Sequence, residues 1–87
     1  MNRNYKNCPV HVYILLLNDG TYYCGITNNM DRRLKEHNEG KSKYTSRSIP
    51  VKLVYTETQK TRTLARKREV QIKGRGVKRY YLTTLYR

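Results

Sequence analysis

Five polar residues in this chain, Tyr13, Tyr23, Arg33, His37 and Glu69, are of the right types to cleave a phosphodiester if they converge. A lone carboxylate such as Glu69 can hold one Mg²⁺, which keeps several waters and shares phosphate oxygens. Such an ion acidifies water and stabilises a leaving oxygen. Arg33 can grip a phosphate through two parallel hydrogen bonds and offset developing charge. A tyrosine beside a divalent cation and an arginine is expected to titrate below its usual value of about 10, low enough to take a proton from water. Rival chemistries find little support. Asp19 sits in a turn and Asp31 in a first helical turn, both ordinary structural places for aspartate. No paired carboxylates suggest a two-metal site, and Gly74 and Gly76 do not follow a strand into a phosphate loop.

The elements must bring these groups together. "VHVYILLL" (10–17) reads as a strand and 21–26 as a second, joined by Asn18-Asp19-Gly20. A three-residue loop with Gly20 left-handed sets Leu17 against Thr21, Leu15 against Tyr23 and Tyr13 against Gly25. Tyr13 and Tyr23 then share one sheet face, with open space expected over Gly25; a two-residue loop would separate them. A helix over "MDRRLKEHNE", capped by Asn28 or Asn29 and stopped by Gly40, aligns Met30, Arg33, Leu34 and His37 on one face. "VKLVYTE" (51–57) is a third strand. A helix over 61–73, stopped by Gly74-Arg75-Gly76, puts Glu69 on the face of Ala65 and Ile72. The tail "VKRYYLTTLYR" reads as a helix. The order ββαβαα predicts an α+β domain over 10–87, an antiparallel sheet with helices packed on it, after a flexible tail at 1–9. The ordinary alternatives are a pair of half-buried core tyrosines and an ion pair of Glu69 with Arg33 or a lysine.

The chain has 87 residues, enough for one modest core, and only 37% are apolar. It lacks Trp and Phe, so nine tyrosines supply all its aromatic surface. Nineteen Lys and Arg against six Asp and Glu give a net charge of +13, a field that attracts polyanions. Nucleic acid is the expected partner. A membrane is not, since no long apolar face accompanies the charge and no segment reads as a span or signal peptide. In the basic loop "GKSKYTSRSIP" (40–50), Lys41, Lys43 and Arg47 are candidate phosphate contacts, against the plain alternative of a solvated loop. Cys8 and Cys24 form no zinc pattern and no disulfide framework, which fits a reduced cytoplasmic setting.

The sequence resembles the GIY-YIG endonuclease superfamily, in its small stand-alone, single-domain branch, from about residue 10 to the C-terminus. Val12-Tyr13-Ile14 matches the first motif and Tyr23-Cys24-Gly25 the second, ten residues on. Arg33 follows at the spacing of the family's helix arginine, His37 one turn later, and Glu69 within "LARKREVQIKG" matches the metal-binding glutamate. The resemblance implies a three-stranded antiparallel sheet flanked by helices and single-metal cleavage of nucleic acid, DNA first, as in DNA repair. It implies Mg²⁺ or Mn²⁺ on Glu69, Tyr13 as general base, Tyr23 and His37 assisting, Arg33 on the scissile phosphate, and Gly25 leaving room for backbone and metal. A monomer or weak dimer is expected, and low sequence specificity as well, since no separate recognition domain is read. Val12 and Cys24 depart from the motif's glycine and isoleucine, and no asparagine occurs beyond Asn38, where many members carry one after the glutamate. That last departure keeps a second function open, a catalytically weak or inactive nucleic-acid-binding module. A third is a small basic protein of a ribonucleoprotein.

Overall fold

In the computed structural model the sheet's register starts from the Asn18-Asp19-Gly20 turn. Asp19 Oδ1 accepts from the Thr21 amide (3.0 Å) and hydroxyl (2.7 Å), and Oδ2 accepts from Ser48 Oγ (3.0 Å). These donors hold the Asp19 carboxyl below the usual range. Gly20 takes φ +88°, and the Leu17 amide donates to the Thr21 carbonyl (2.8 Å), closing the three-residue loop. Strand β1 (Val10–Leu16) therefore pairs with β2 (Tyr22–Thr27) as Tyr13↔Gly25 and Leu15↔Tyr23, the expected register. Strand β3 (Lys52–Gln59) adds antiparallel to the other side of β1, giving the order β2-β1-β3. It runs two residues beyond the expected end.

The structure describes residues 9–86, so the tail expected at 1–9 lies outside them apart from Pro9. Helices cover both faces of the sheet. On one face Tyr13, Leu15, Leu17 and Val51 pack with Tyr23, Ile49, and Met30 and Leu34 of α1 (Met30–Asn38). On the other, Val10, Val12, Ile14 and Cys24 meet Ala65 and Ile72 of α2 (Arg62–Arg75), with Val77, Tyr80 and Tyr81 of α3 (Val77–Leu85) alongside. This is the expected α+β architecture. Val12, Ile14, Leu15 and Ile72 are fully buried, each worth about 1.5–3 kcal/mol over its exposed state.

Local signals set the helix ends. Asn29 caps α1 by accepting from the Arg32 amide (3.0 Å), and Thr61 caps α2 by accepting from that of Leu64 (3.1 Å). One boundary differs from expectation: α2 runs through Gly74 to Arg75 and ends at Gly76. Gly76, at φ +93°, breaks the helix, whereas Gly74 keeps negative φ and is tolerated at a cost of about 1 kcal/mol. A polar cluster ties α2 and α3 to β3. Glu57 accepts from Arg68 Nε (2.8 Å), Tyr55 Oη (2.5 Å) and Gln59 Nε2 (2.9 Å). Tyr80 Oη accepts from Arg68 Nη2 (2.6 Å) and lies 2.9 Å from Tyr55 Oη. Among the described residues no helix is long and apolar enough to cross a membrane.

Candidate active site

The hydroxyl of Tyr13 is the hub of the site. The side chain comes from the central strand and is 1% exposed. Arg33 and His37, one turn apart on α1, both reach it. Tyr13 Oη lies 3.0 Å from His37 Nε2 and accepts from Arg33 Nε at 3.3 Å. Behind them, His37 Nδ1 lies 2.7 Å from Thr45 Oγ1, and Arg33 Nη1 donates to Glu36 Oε1 at 3.1 Å. Tyr23, two residues along the same face from Gly25, completes the group. Its ring centroid is 6.3 Å from that of Tyr13 and 5.4 Å, edge-on, from that of His37. Four of the five expected residues thus form one constellation, on the face that the register dictates.

One expectation is corrected. The space over Gly25 is not open: a Cβ there would lie 2.6 Å from Tyr13 Oη and 2.8 Å from its Cζ. Gly25 makes room for the phenol itself. The protein's own groups leave Tyr13 with a raised value. Burial pushes it up to about 12, and the Arg33 hydrogen bond offsets only part of that. His37 shifts down, through burial and then the Arg33 charge, and is therefore neutral at pH 7. A neutral imidazole against a protonated phenol is a proton acceptor in place.

Glu69 is carried by α2, whose Ala65 and Ile72 pack against the other face of the sheet. Its side chain is 13% exposed, with Lys73 Nζ at 3.0 Å and Arg66 Nη1 at 3.9 Å, both from its own helix. It pairs with a lysine, as the ordinary alternative held, while Arg33 goes to Glu36. Two electrostatic effects place it near strand β2. The Cys24 thiol is raised to about 11, first by burial and then by the Glu69 charge. Burial pulls Lys73 down, but its hydrogen bond to Glu69 and the Glu69 charge outweigh that and raise it, with smaller effects from Cys24 and Tyr23. Because β2 is an edge strand, side chains of α2 can meet the Tyr23 side around that edge. Among the described residues no three His, Cys, Asp or Glu groups cluster as metal ligands.

The basic loop joins the site through residues that the sequence did not single out. Thr45, 1% exposed, orients His37, and Tyr44 stacks on Tyr23 with centroids 6.3 Å apart and ring planes 22° apart. Lys41, Lys43 and Arg47 are exposed around them, and Lys41 Nζ lies 3.1 Å from Glu39 Oε1.

A family model described as the GIY-YIG catalytic domain matches residues 9–81. The chain belongs to the GIY-YIG family. Similar GIY-YIG relatives include a UPF0213 protein of Halobacterium salinarum, 45% identical over 64 residues, covering 72% of this chain and 83% of that one. Another, from Syntrophus aciditrophicus, is 47% identical over 75 residues, covering 84% and 79%. The solution NMR structure of the UPF0213 protein BH0048 from Bacillus halodurans superposes with a TM-score of 0.54 at 37% identity, covering 88% of this chain and 84% of that one. A GIY-YIG domain is a nuclease-type domain, so its substrate class is nucleic acid.

Proposed function

We infer that this protein is a divalent-metal-dependent endonuclease that hydrolyses phosphodiester bonds in nucleic acid, DNA first, with low sequence specificity. The observation that carries this reading is the convergence of Tyr13, Tyr23, Arg33 and His37 on one sheet face beside a basic loop. A plain binding surface has no use for a buried phenol hydrogen-bonded to a neutral imidazole. Low specificity follows from contacts made by Lys41, Lys43 and Arg47 to phosphates, which carry no base information.

Glu69 is the donor for Mg²⁺ or Mn²⁺. One carboxylate fits a cation held jointly with substrate phosphates and waters, not a preformed protein cage. Lys73 has to release it first. When bound, the cation supplies positive charge against the phosphate and the leaving oxygen. The chain's own residues do the rest. With Nδ1–H donated to Thr45 Oγ1, His37 Nε2 accepts the Tyr13 hydroxyl proton as Tyr13 Oη takes one from the attacking water. The resulting hydroxide forms the new P–O bond as the old one breaks; the leaving oxygen takes a proton from solvent water, and His37 gives its own back to solvent. Arg33 holds the phosphate, having donors to spare beyond those given to Tyr13 and Glu36. Tyr23 confines the water against the pair. The same reading makes the protein a cytoplasmic monomer or weak dimer acting in DNA processing such as repair.

The Lys73–Glu69 pair also supports a second reading, in which the chain binds nucleic acid without cutting it. Cleavage of a panel of branched and linear substrates with and without Mg²⁺, by wild type and Glu69→Gln, separates the two. The nuclease reading expects metal-dependent cutting that Glu69→Gln abolishes while binding persists or tightens, because a negative charge has left the phosphate path. Lys73 and Arg66 are 51% and 64% exposed, so losing their pairs costs stability within about 1 kcal/mol. Wild-type cutting by Glu69→Gln would remove the metal-ligand role and most of this mechanism.

A further inference from the structure

Tyr44 is held where a mobile side chain would be expected. It lies in the basic loop and is 72% exposed, yet the residues around it are fixed: Ser42 is 5% exposed and Thr45 1%. Thr45 is anchored by the same hydrogen bond that orients His37. The Tyr44 ring lies within 22° of parallel to that of Tyr23, which itself touches Tyr13 and His37. A flat aromatic surface is thus presented to solvent at the edge of the site. It belongs to the loop that carries Lys41, Lys43 and Arg47, in a chain of net charge +13.

An exposed planar ring with a cation beside it suits a nucleobase whose adjoining phosphate meets that cation. Lys43 Nζ lies 5.8 Å from the Tyr44 centroid. That exposed cation–π contact is weaker than base stacking, so Lys43 yields the ring and takes the adjoining phosphate. Bases inside a duplex are already stacked on their neighbours, so the ring is open only to a base that has left the stack. We propose that Tyr44 is a stacking platform for an unpaired base next to the scissile phosphate, which makes the substrate single-stranded or locally unpaired nucleic acid. The inference rests on the nuclease reading for the position of that phosphate.

Binding without cleavage tests it, with EDTA present and 2-aminopurine placed in an oligonucleotide, single-stranded or in a blunt duplex. The wild type is expected to quench the probe in the single strand and to prefer that strand over the duplex. Tyr44→Ala should lose the quenching and bind the single strand about tenfold more weakly, with duplex binding little changed. Tyr44→Trp should hold or tighten it. Tyr44→Leu keeps apolar bulk over Tyr23 but offers no ring, and it should behave as Tyr44→Ala; melting curves confirm that each variant is folded. Unchanged single-strand binding by Tyr44→Ala and Tyr44→Leu would overturn the proposal, as would equal losses on single strand and duplex. Normal cleavage without strand preference removes the platform alone. Intact stacking without cleavage under any metal counts against the nuclease reading alone.

Discussion

Gly25→Ala tests whether the position of the Tyr13 hydroxyl is what the site is built around. The added Cβ would meet Tyr13 Oη at 2.6 Å, Cζ at 2.8 Å and Cε2 at 3.2 Å. To reach the 3.4 Å of ordinary contact, the hydroxyl must retreat by about 0.8 Å. It has little slack. It already lies 3.0 Å from His37 Nε2, and the Arg33 bond is long at 3.3 Å. A retreat of that size takes it out of range of one partner or the other. Overpacking of this kind costs about 1–3 kcal/mol, and each kcal/mol lowers Tm by about 4–8 °C in a domain of this size. The rate should suffer more, since a misplacement of about 1 Å costs on the order of 100-fold. Thermal melting and single-turnover cleavage, measured together on wild type, Gly25→Ala, Tyr13→Phe and the double variant, read both effects. In the Tyr13→Phe background the closest clash is gone and no hydroxyl bonds remain to be strained. The stability cost of Gly25→Ala should shrink there, with a coupling of about 0.5–3 kcal/mol. The reasoning fails if Gly25→Ala melts and cuts like the wild type, or if its cost is the same in both backgrounds.

Thr45→Val leaves the buried His37 Nδ1 without its partner. We expect a loss of about 1–3 kcal/mol in denaturant unfolding, and a slower cleavage step with substrate affinity retained. For His37 itself, the folded-state value lies below the unfolded one near 6.5, so the unfolded chain binds more protons between the two. Its contribution to stability is therefore complete above about pH 6.5 and is lost as pH falls through the folded value. Unfolding measured against pH should show that loss in wild type and not in His37→Gln. The cleavage rate should fall on the same acid side, because a protonated imidazole cannot take the Tyr13 proton.

What the sequence revealed, and what it hid, divides by the range of the forces involved. The hairpin register was legible because a glycine at the third loop position and alternating apolar residues admit few solutions, and it carried Tyr13 and Tyr23 to one face. The polar faces of α1 and α2 were legible from helical periodicity. The Tyr13 shift was not, because it depends on how far burial outweighs one guanidinium, and burial is set by the whole fold. The filling of the space over Gly25 needed the rotamer of a residue on another strand. Thr45 and Tyr44 lie in an irregular loop with no period to betray a buried neighbour, and Glu36 looks like any solvated helix acid. Glu69 shows the limit most plainly. Periodicity placed it on an inner face, but which face of the sheet its helix covers was decided by the chain's path through β3.

Helix α3 has no fully buried side chain and holds on through half-buried rings, Tyr80 in the Glu57–Arg68 cluster and Tyr81 against Tyr22. Tyr13, Tyr23, Arg33 and His37 lie across the sheet from it. Detachment of α3 would therefore leave the tyrosine constellation intact behind the sheet. Amide exchange in α3 then reports on a local equilibrium independent of the one that holds His37 against Tyr13. A molecule caught with α3 undocked still presents a formed set of those four side chains, while Glu69 on α2, in the layer of α3, is the one expected site residue such an event could disturb.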